Sequence, residues 1–122
     1  MKNDFFRLEI QDGIAIIWID SVKDKMNIVY PSLIKDFEDV FNEINENQII
    51  KGAVLISAKK DFIAGADIKS FIGDKVGDFQ PISRKGHQML QAIENCSKPI
   101  ISAVHGTCYG LGTELSLSLI HI

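Results

Sequence analysis

Three short stretches, Ile14-Ala15-Ile16-Ile17-Trp18-Ile19, Ala53-Val54-Leu55-Ile56-Ser57 and Ile100-Ile101-Ser102-Ala103-Val104, are apolar at nearly consecutive positions rather than at alternate ones. A strand with one face in water alternates; a continuous run of this length marks a strand covered on both faces, in the interior of a sheet. The segments between these runs have a different period. Leu33, Ile34, Phe37, Val40, Phe41 and Ile44 recur at helical spacing opposite Asp36, Glu38, Asp39 and Glu43, which predicts an amphipathic helix over about 31–46, with Pro31 suited to its first turn. Phe79, Ile82, Met89, Leu90 and Ile93 predict a second helix over 79–95. Ahead of the first run, Phe6, Leu8 and Ile10 alternate with Arg7 and Glu9, and Asp12-Gly13 supplies a tight hairpin turn. The order β-β-α-β-α-β, with buried strands between helices, specifies an α/β architecture with a largely parallel central sheet.

The remaining segments are less determined. Residues 20–30 and 58–66 read as loops, and Asp67-Ile68-Lys69-Ser70-Phe71 as a single helical turn with Asp67 as its cap. Leu115-Ser116-Leu117-Ser118-Leu119 alternates at the strand period, yet it follows a glycine turn of the kind that opens a helix; helix is the preferred reading. Trp18 is expected in the core. The 122 residues suit one domain spanning 1–122. A net charge of −3 and the lack of a basic stripe argue against a nucleic-acid partner, although Lys23, Lys25, Lys59, Lys60 and Lys69 could meet a local phosphate group. Cys96 and Cys108 fit no zinc or redox spacing and are expected as reduced thiols in or near the core; His87 is expected at the surface, His105 in a structural role, and no metal site is expected. The charged N-terminus does not read as a signal peptide, and no apolar run approaches the roughly 20 residues that span a bilayer. A cytoplasmic location is the expectation.

Two loops follow strands in the position where open α/β sheets bind ligands. One is Asp61-Phe62-Ile63-Ala64-Gly65-Ala66-Asp67, the other His105-Gly106-Thr107-Cys108-Tyr109-Gly110-Leu111-Gly112-Thr113-Glu114. Glycines let each backbone turn sharply or approach a ligand. Backbone N–H groups from the two loops could together form an oxyanion hole, and Glu114 could handle a proton or position a water. Taken singly, each loop also has a plainer reading, as a chain turn followed by a carboxylate in the first turn of a helix. Neither loop carries a nucleotide-binding glycine fingerprint.

"FIAGADIKSF" (62–71) and "KPIISAVHGTCYGLGTEL" (98–115) resemble the two signature segments of the crotonase, or enoyl-CoA hydratase/isomerase, superfamily. Lys25-Met26-Asn27 is similar to a third family segment. Within the superfamily, the combination is nearer to the N-terminal hydratase/isomerase part of multifunctional fatty-acid-oxidation α subunits. The resemblance implies a crotonase-like spiral of ββα units, of which this chain holds the N-terminal portion. It implies an acyl-CoA thioester as substrate and no separate cofactor. The thioester oxygen would be held by the N–H groups of Ala66 and Leu111. Glu114 would be a catalytic glutamate for addition of water to a trans-2-enoyl-CoA, a lyase step of β-oxidation. Lys25, Met26, Asn27, Ala64, Gly65, Asp67, Ile68 and Gly110 would border the ligand, with Phe71 near the acyl chain.

The sequence departs from the family pattern in three ways. Leu111 stands where glycine is usual. The family's second glutamate would fall beyond Ile122, as would the remaining strands and C-terminal helices. The expectations therefore include a catalytically weak or inactive CoA-thioester binder, a single-glutamate enoyl-CoA isomerase, and a structural homo-oligomer that covers exposed apolar faces.

Overall fold

In the computed structural model, which describes residues 2–66, 79–109, 111–117 and 119–121, the Asp12-Gly13 pair forms the expected turn. Asp12 has φ 50° and Gly13 φ 82°, the paired left-handed conformation of a two-residue hairpin loop. It joins β1 (Phe6–Gln11) to β2 (Ile14–Ile19), which pair antiparallel from Phe6 opposite Ile19 to Gln11 opposite Ile14. β3 (Ile28–Val29) is a two-residue strand inside the stretch expected to be loop. A 3-10 turn, Pro31–Leu33, leads into α1 (Ile34–Glu46), then come β4 (Gly52–Ser57), β5 (Gly65–Ala66), α2 (Phe79–Glu94), β6 (Ile100–Ala103), α3 (Leu111–Leu117) and β7 (Ile120–His121). The main sheet has the order β1-β2-β4-β6-β7 and is parallel from β2 onward. The ambiguous tail is helix up to Leu117, followed by a short strand that had not been expected.

The register lines up Ala15 with Ala53 and Ile100, and Ile17 with Leu55 and Ser102. These residues form one face of the sheet, where the core lies. α1 brings Phe37, Val40, Phe41 and Ile44 to it, and α2 brings Met89 and Ile93. Phe5, Phe6, Phe37 and Phe41 form an aromatic cluster at its β1 end, with edge-to-face centroid separations of 4.7 Å (Phe6–Phe37) and 4.9 Å (Phe5–Phe6). Edge-on rings place positive rims against negative faces, which favours this geometry over flat stacking.

The other face corrects one expectation. The strand runs are interior in the sheet, but both helices lie on one side. Ile14 is 41% exposed, and Ile16, Trp18, Val54, Ile56 and Ile101 are half-buried. Trp18 is therefore not a core residue. Its ring lies under the Arg7 guanidinium at 5.3 Å, and its buried Nε1–H lacks an acceptor among the described residues.

Lys98, part of the "KPII" segment, closes α1. Its Nζ donates to Ile44 O at 2.7 Å and to Asn47 O. The last carbonyls of a helix lack intrahelical donors, and a cation there also meets the negative end of the helix dipole. Asn45 Oδ1 adds a tie by accepting from Ser97 N at 3.3 Å and from Ser97 Oγ at 2.6 Å. α1 is thereby fixed to the turn that starts β6.

Candidate active site

β4 ends at Ser57, and its hydroxyl organises the turn that follows. Ser57 Oγ donates to Asp61 O at 2.6 Å and accepts from Lys59 N at 3.0 Å. Asn27, with no exposed surface, completes the arrangement. Its Nδ2 donates to Phe62 O at 2.7 Å and to Ser57 Oγ at 2.9 Å, while its Oδ1 accepts from Ser21 N at 3.1 Å. Its own carbonyl accepts from Ala64 N at 2.9 Å. Its side-chain amide is thus committed to the chain, because a buried polar side chain is retained only where its hydrogen bonds are made. The bonds hold residues 57–64 against β2 and lead the backbone to Gly65, at φ 135°, and Ala66, which pair in parallel with Ile28 and Val29.

The second loop is laced to the first. Phe62 N donates to Thr107 O at 3.1 Å, Tyr109 N donates to Ile63 O at 3.1 Å, and Ile63 and Cys108 form a parallel bridge. Asp61 Oδ1 accepts from Thr107 N at 2.8 Å. That hydrogen bond from the Thr107 backbone is the main reason the Asp61 carboxyl titrates below its ordinary range, with Lys60 and His105 adding a smaller attraction. Two glycines permit the approach. Gly106 has φ 65°, and a Cβ there would lie 2.5 Å from Asp61 Oδ1 and 2.7 Å from Lys60 O. A Cβ on Gly112 would lie 2.8 Å from Ile63 Cβ. His105, exposed, has Nε2 at 2.9 Å from Lys59 O.

Leu111 is the first residue of α3 and has helical backbone, so replacing the usual glycine there does not demand a left-handed conformation. Glu114 follows three residues later on the same helix. Ser116 Oγ donates back to Gly112 O at 2.9 Å and accepts from Ser102 Oγ at 3.4 Å, which seats α3 on the sheet beside buried Leu115. Among the expected ligand-bordering residues, Lys25 is exposed, while Met26, Ala64 and Gly65 are half-buried. Asp67, Ile68 and Gly110 lie outside the described residues, as do Lys69 and Phe71.

The lysines divide. Lys59, its side chain 18% exposed, is occupied internally: Nζ donates to Asp24 O at 2.9 Å and stands 3.6 Å from Asp20 Oδ1. Lys23 lies over the Tyr30 ring at 4.3 Å. Lys25 and Lys60 are exposed. Neither Cys96 nor Cys108 is in a disulfide, and both are half-buried at the edge of the core. Among the described residues, no group of three His, Cys, Asp or Glu side chains is placed to hold a metal ion, and no helix is long and apolar enough to cross a membrane. Sequence reasoning missed Asp61 and Thr107 as a pair: 46 positions separate them, and nothing local marks either as the other's partner.

Residues 9–119 match the enoyl-CoA hydratase/isomerase family. The α subunit of the fatty acid oxidation complex from Shewanella sp. (strain ANA-3) is 36% identical over 120 residues, covering 97% of this chain and 17% of that one. An enoyl-CoA hydratase/isomerase structure from Marinobacter aquaeolei superposes with a TM-score of 0.80 at 29% identity, over 93% of this chain and 46% of that one. An enoyl-CoA hydratase/carnithine racemase from Magnetospirillum magneticum has the same fold, with a TM-score of 0.87 at 24% identity over 98% of this chain and 46% of that one. The chain thus spans about a sixth of that curated relative and less than half of those two solved structures.

Proposed function

The chain belongs to the enoyl-CoA hydratase/isomerase family, and on that premise we propose that it binds an acyl-CoA thioester and stabilises the enolate formed from it. The observation that carries the reading is the joining of the two signature loops. The backbone bonds Phe62 N to Thr107 O and Tyr109 N to Ile63 O put the segment leading to Ala66 beside the one leading to Leu111. The N–H groups of Ala66 and Leu111 are proposed as the donors to the thioester oxygen. The N–H of Leu111, at the start of α3, has no acceptor within its own helix. Donors aimed at developing negative charge are worth about 2.7–4 kcal/mol each in an acyl-transfer site.

Glu114 is proposed as the acid–base group that directs water to the β-carbon of a trans-2-enoyl-CoA. Lys25, Met26, Asn27, Ala64, Gly65, Asp67, Ile68 and Gly110 would border the ligand, and Lys25 and Lys60 are exposed cations available to its phosphates. No separate cofactor is needed for this chemistry, because the thioester itself acidifies the α-carbon.

The apolar face formed by exposed Ile14 and half-buried Ile16, Trp18 and Val54 supports self-association. Two cysteines outside any disulfide support a reducing compartment such as the cytoplasm.

The test is turnover of a short trans-2-enoyl-CoA by the purified chain, with Glu114→Gln beside it and a 3-enoyl-CoA as the alternative substrate. Hydration lost in the variant supports the reading. Isomerisation of the 3-enoyl thioester alone transfers Glu114 to a proton shuttle. Absence of both reactions, together with absence of CoA-thioester binding in calorimetry, refutes it. Light scattering that returns a monomer refutes the self-association.

A further inference from the structure

We propose that Asp61 is a positioning residue: its carboxylate, by accepting the Thr107 backbone N–H, sets the placement of the Leu111 loop relative to the Ala66 loop. The inference rests on the thioester reading for its chemical consequence, but not for its geometry.

Three observations converge on it. Asp61 lies on the first loop and its Oδ1 is 2.8 Å from Thr107 N on the second, across 46 residues. The bond sits between two others in one lacing: His105 Nε2 against Lys59 O at 2.9 Å on one side, and Phe62 N to Thr107 O at 3.1 Å on the other. Gly106 has the backbone conformation and the absent side chain that this approach requires, since a Cβ there would strike the very oxygen Asp61 uses. The lacing continues through Tyr109 N to Ile63 O and ends at Gly112, packed on Ile63 within α3. Thr107 is therefore tied to Ile63 through its near neighbour Tyr109 and, beyond that, through Gly112 at the start of α3, both of which lie against Ile63.

The carboxylate suits this role better than a neutral acceptor because a charge-assisted hydrogen bond to a backbone N–H is shorter and stronger. Lys60 and His105 are the charged or titratable neighbours that favour the ionised form. Ser57 holds the other end, accepting from Lys59 N and donating to Asp61 O, so the Asp61 backbone is anchored where its side chain reaches across.

The experiment compares the native chain with Asp61→Ala and Asp61→Asn, the second keeping an acceptor oxygen. Amide hydrogen exchange is read at Thr107, Phe62 and Tyr109, and at β2 and β4 as internal controls. Removing a charge-assisted partner should speed exchange at Thr107, and with it Phe62 and Tyr109, by about tenfold or more in the alanine variant, with β2 and β4 unchanged and the asparagine variant, which keeps a neutral acceptor, between native and alanine. The second readout uses acetoacetyl-CoA, a 3-oxoacyl thioester whose enolate absorbs in the near ultraviolet. Misplaced oxyanion donors should lower the bound enolate fraction about tenfold in Asp61→Ala while affinity for CoA itself shifts less than about twofold.

Exchange at Thr107 and Tyr109 that is unchanged in Asp61→Ala overturns the inference. So does parallel loss of CoA affinity and enolate fraction, which would make Asp61 merely structural. If the native chain binds no acetoacetyl-CoA, the thioester reading falls, and the exchange data decide by themselves whether Asp61 sets the two loops.

Discussion

Replacing Asn27 with alanine should be among the most damaging single changes in the molecule, and the cost follows from its partners. Asn27 is fully buried, and its amide serves Ser21 N, Ser57 Oγ and Phe62 O. Ser57 Oγ keeps its bonds to Asp61 O and Lys59 N after truncation. Ser21 N and Phe62 O do not recover: among the described residues Asn27 is their partner, and both residues are buried. A stranded buried donor or acceptor costs about 1–3 kcal/mol, so two cost about 4 kcal/mol. For a chain of this size that lowers the melting temperature by about 10–20 °C. Urea unfolding followed by Trp18 fluorescence measures it.

Asn27→Asp sharpens the test. The acceptor for Ser21 N survives, but the donors to Phe62 O and Ser57 Oγ vanish, and the new carboxyl is desolvated. Burial raises its folded-state pKa, so the folded chain binds the proton more tightly than the unfolded one, and stability falls as pH rises above the ordinary aspartate range. Asn27→Asp should therefore approach the parent near pH 3–4 and fall furthest behind it at neutral pH. An alanine variant within about 1 kcal/mol of the parent, or an aspartate variant whose deficit does not grow with pH, would refute the assignment of Asn27 as a buried clamp.

Three further perturbations have computable signs. Gly112→Ala puts a Cβ 2.8 Å from Ile63 Cβ and should cost about 1–3 kcal/mol by overpacking, whereas Gly86→Ala, inside α2 with nothing within 4 Å, should stabilise by about 0.5–1 kcal/mol; thermal melts of the pair check the contrast. Lys98→Met keeps much of the stem but removes the donor to Ile44 O and Asn47 O, and should lose about 1–3 kcal/mol in urea unfolding, with amide exchange rising in the last turn of α1. Asp36 is pushed above its ordinary 3.8, first by burial and then by Asp4 and Asp39, so its ionisation opposes folding as pH rises from about 4. Asp36→Asn should gain stability relative to the parent across that rise, and a difference independent of pH between 3 and 7 would contradict it.

Local chemistry made much of the fold legible. The Asp12-Gly13 turn needs left-handed backbone at both positions, and those two residue types tolerate it. The helical spacing of Phe37, Val40, Phe41 and Ile44 gave α1 its buried stripe. The tail alternates at a period of two, yet is helical through Leu117, because Ser116 turns its hydroxyl back to Gly112 O and Leu115 packs into the core. Trp18 shows the limit of the same reasoning. An unbroken apolar run signals a strand inside a sheet, but it does not say whether both faces are covered.

The candidate site divides along the same line. Gly65, Ala66, Gly112 and Glu114 were recognisable because a short pattern of glycines and one acid is itself the signal. The roles of Asn27, Asp61 and Lys98 were not, because each role is defined by a partner distant in sequence: Phe62 lies 35 residues from Asn27, Thr107 46 from Asp61, and Ile44 54 from Lys98. By itself, the sequence determined the longer strands and the helices and which family patterns they carry, since periodicity and turn chemistry act over a few residues, but not the two-residue strands β3, β5 and β7, which exist only through their partners. Which polar groups hold the two loops together was decided only by the tertiary structure, where burial removes water as a partner and leaves each donor to find an acceptor across the fold.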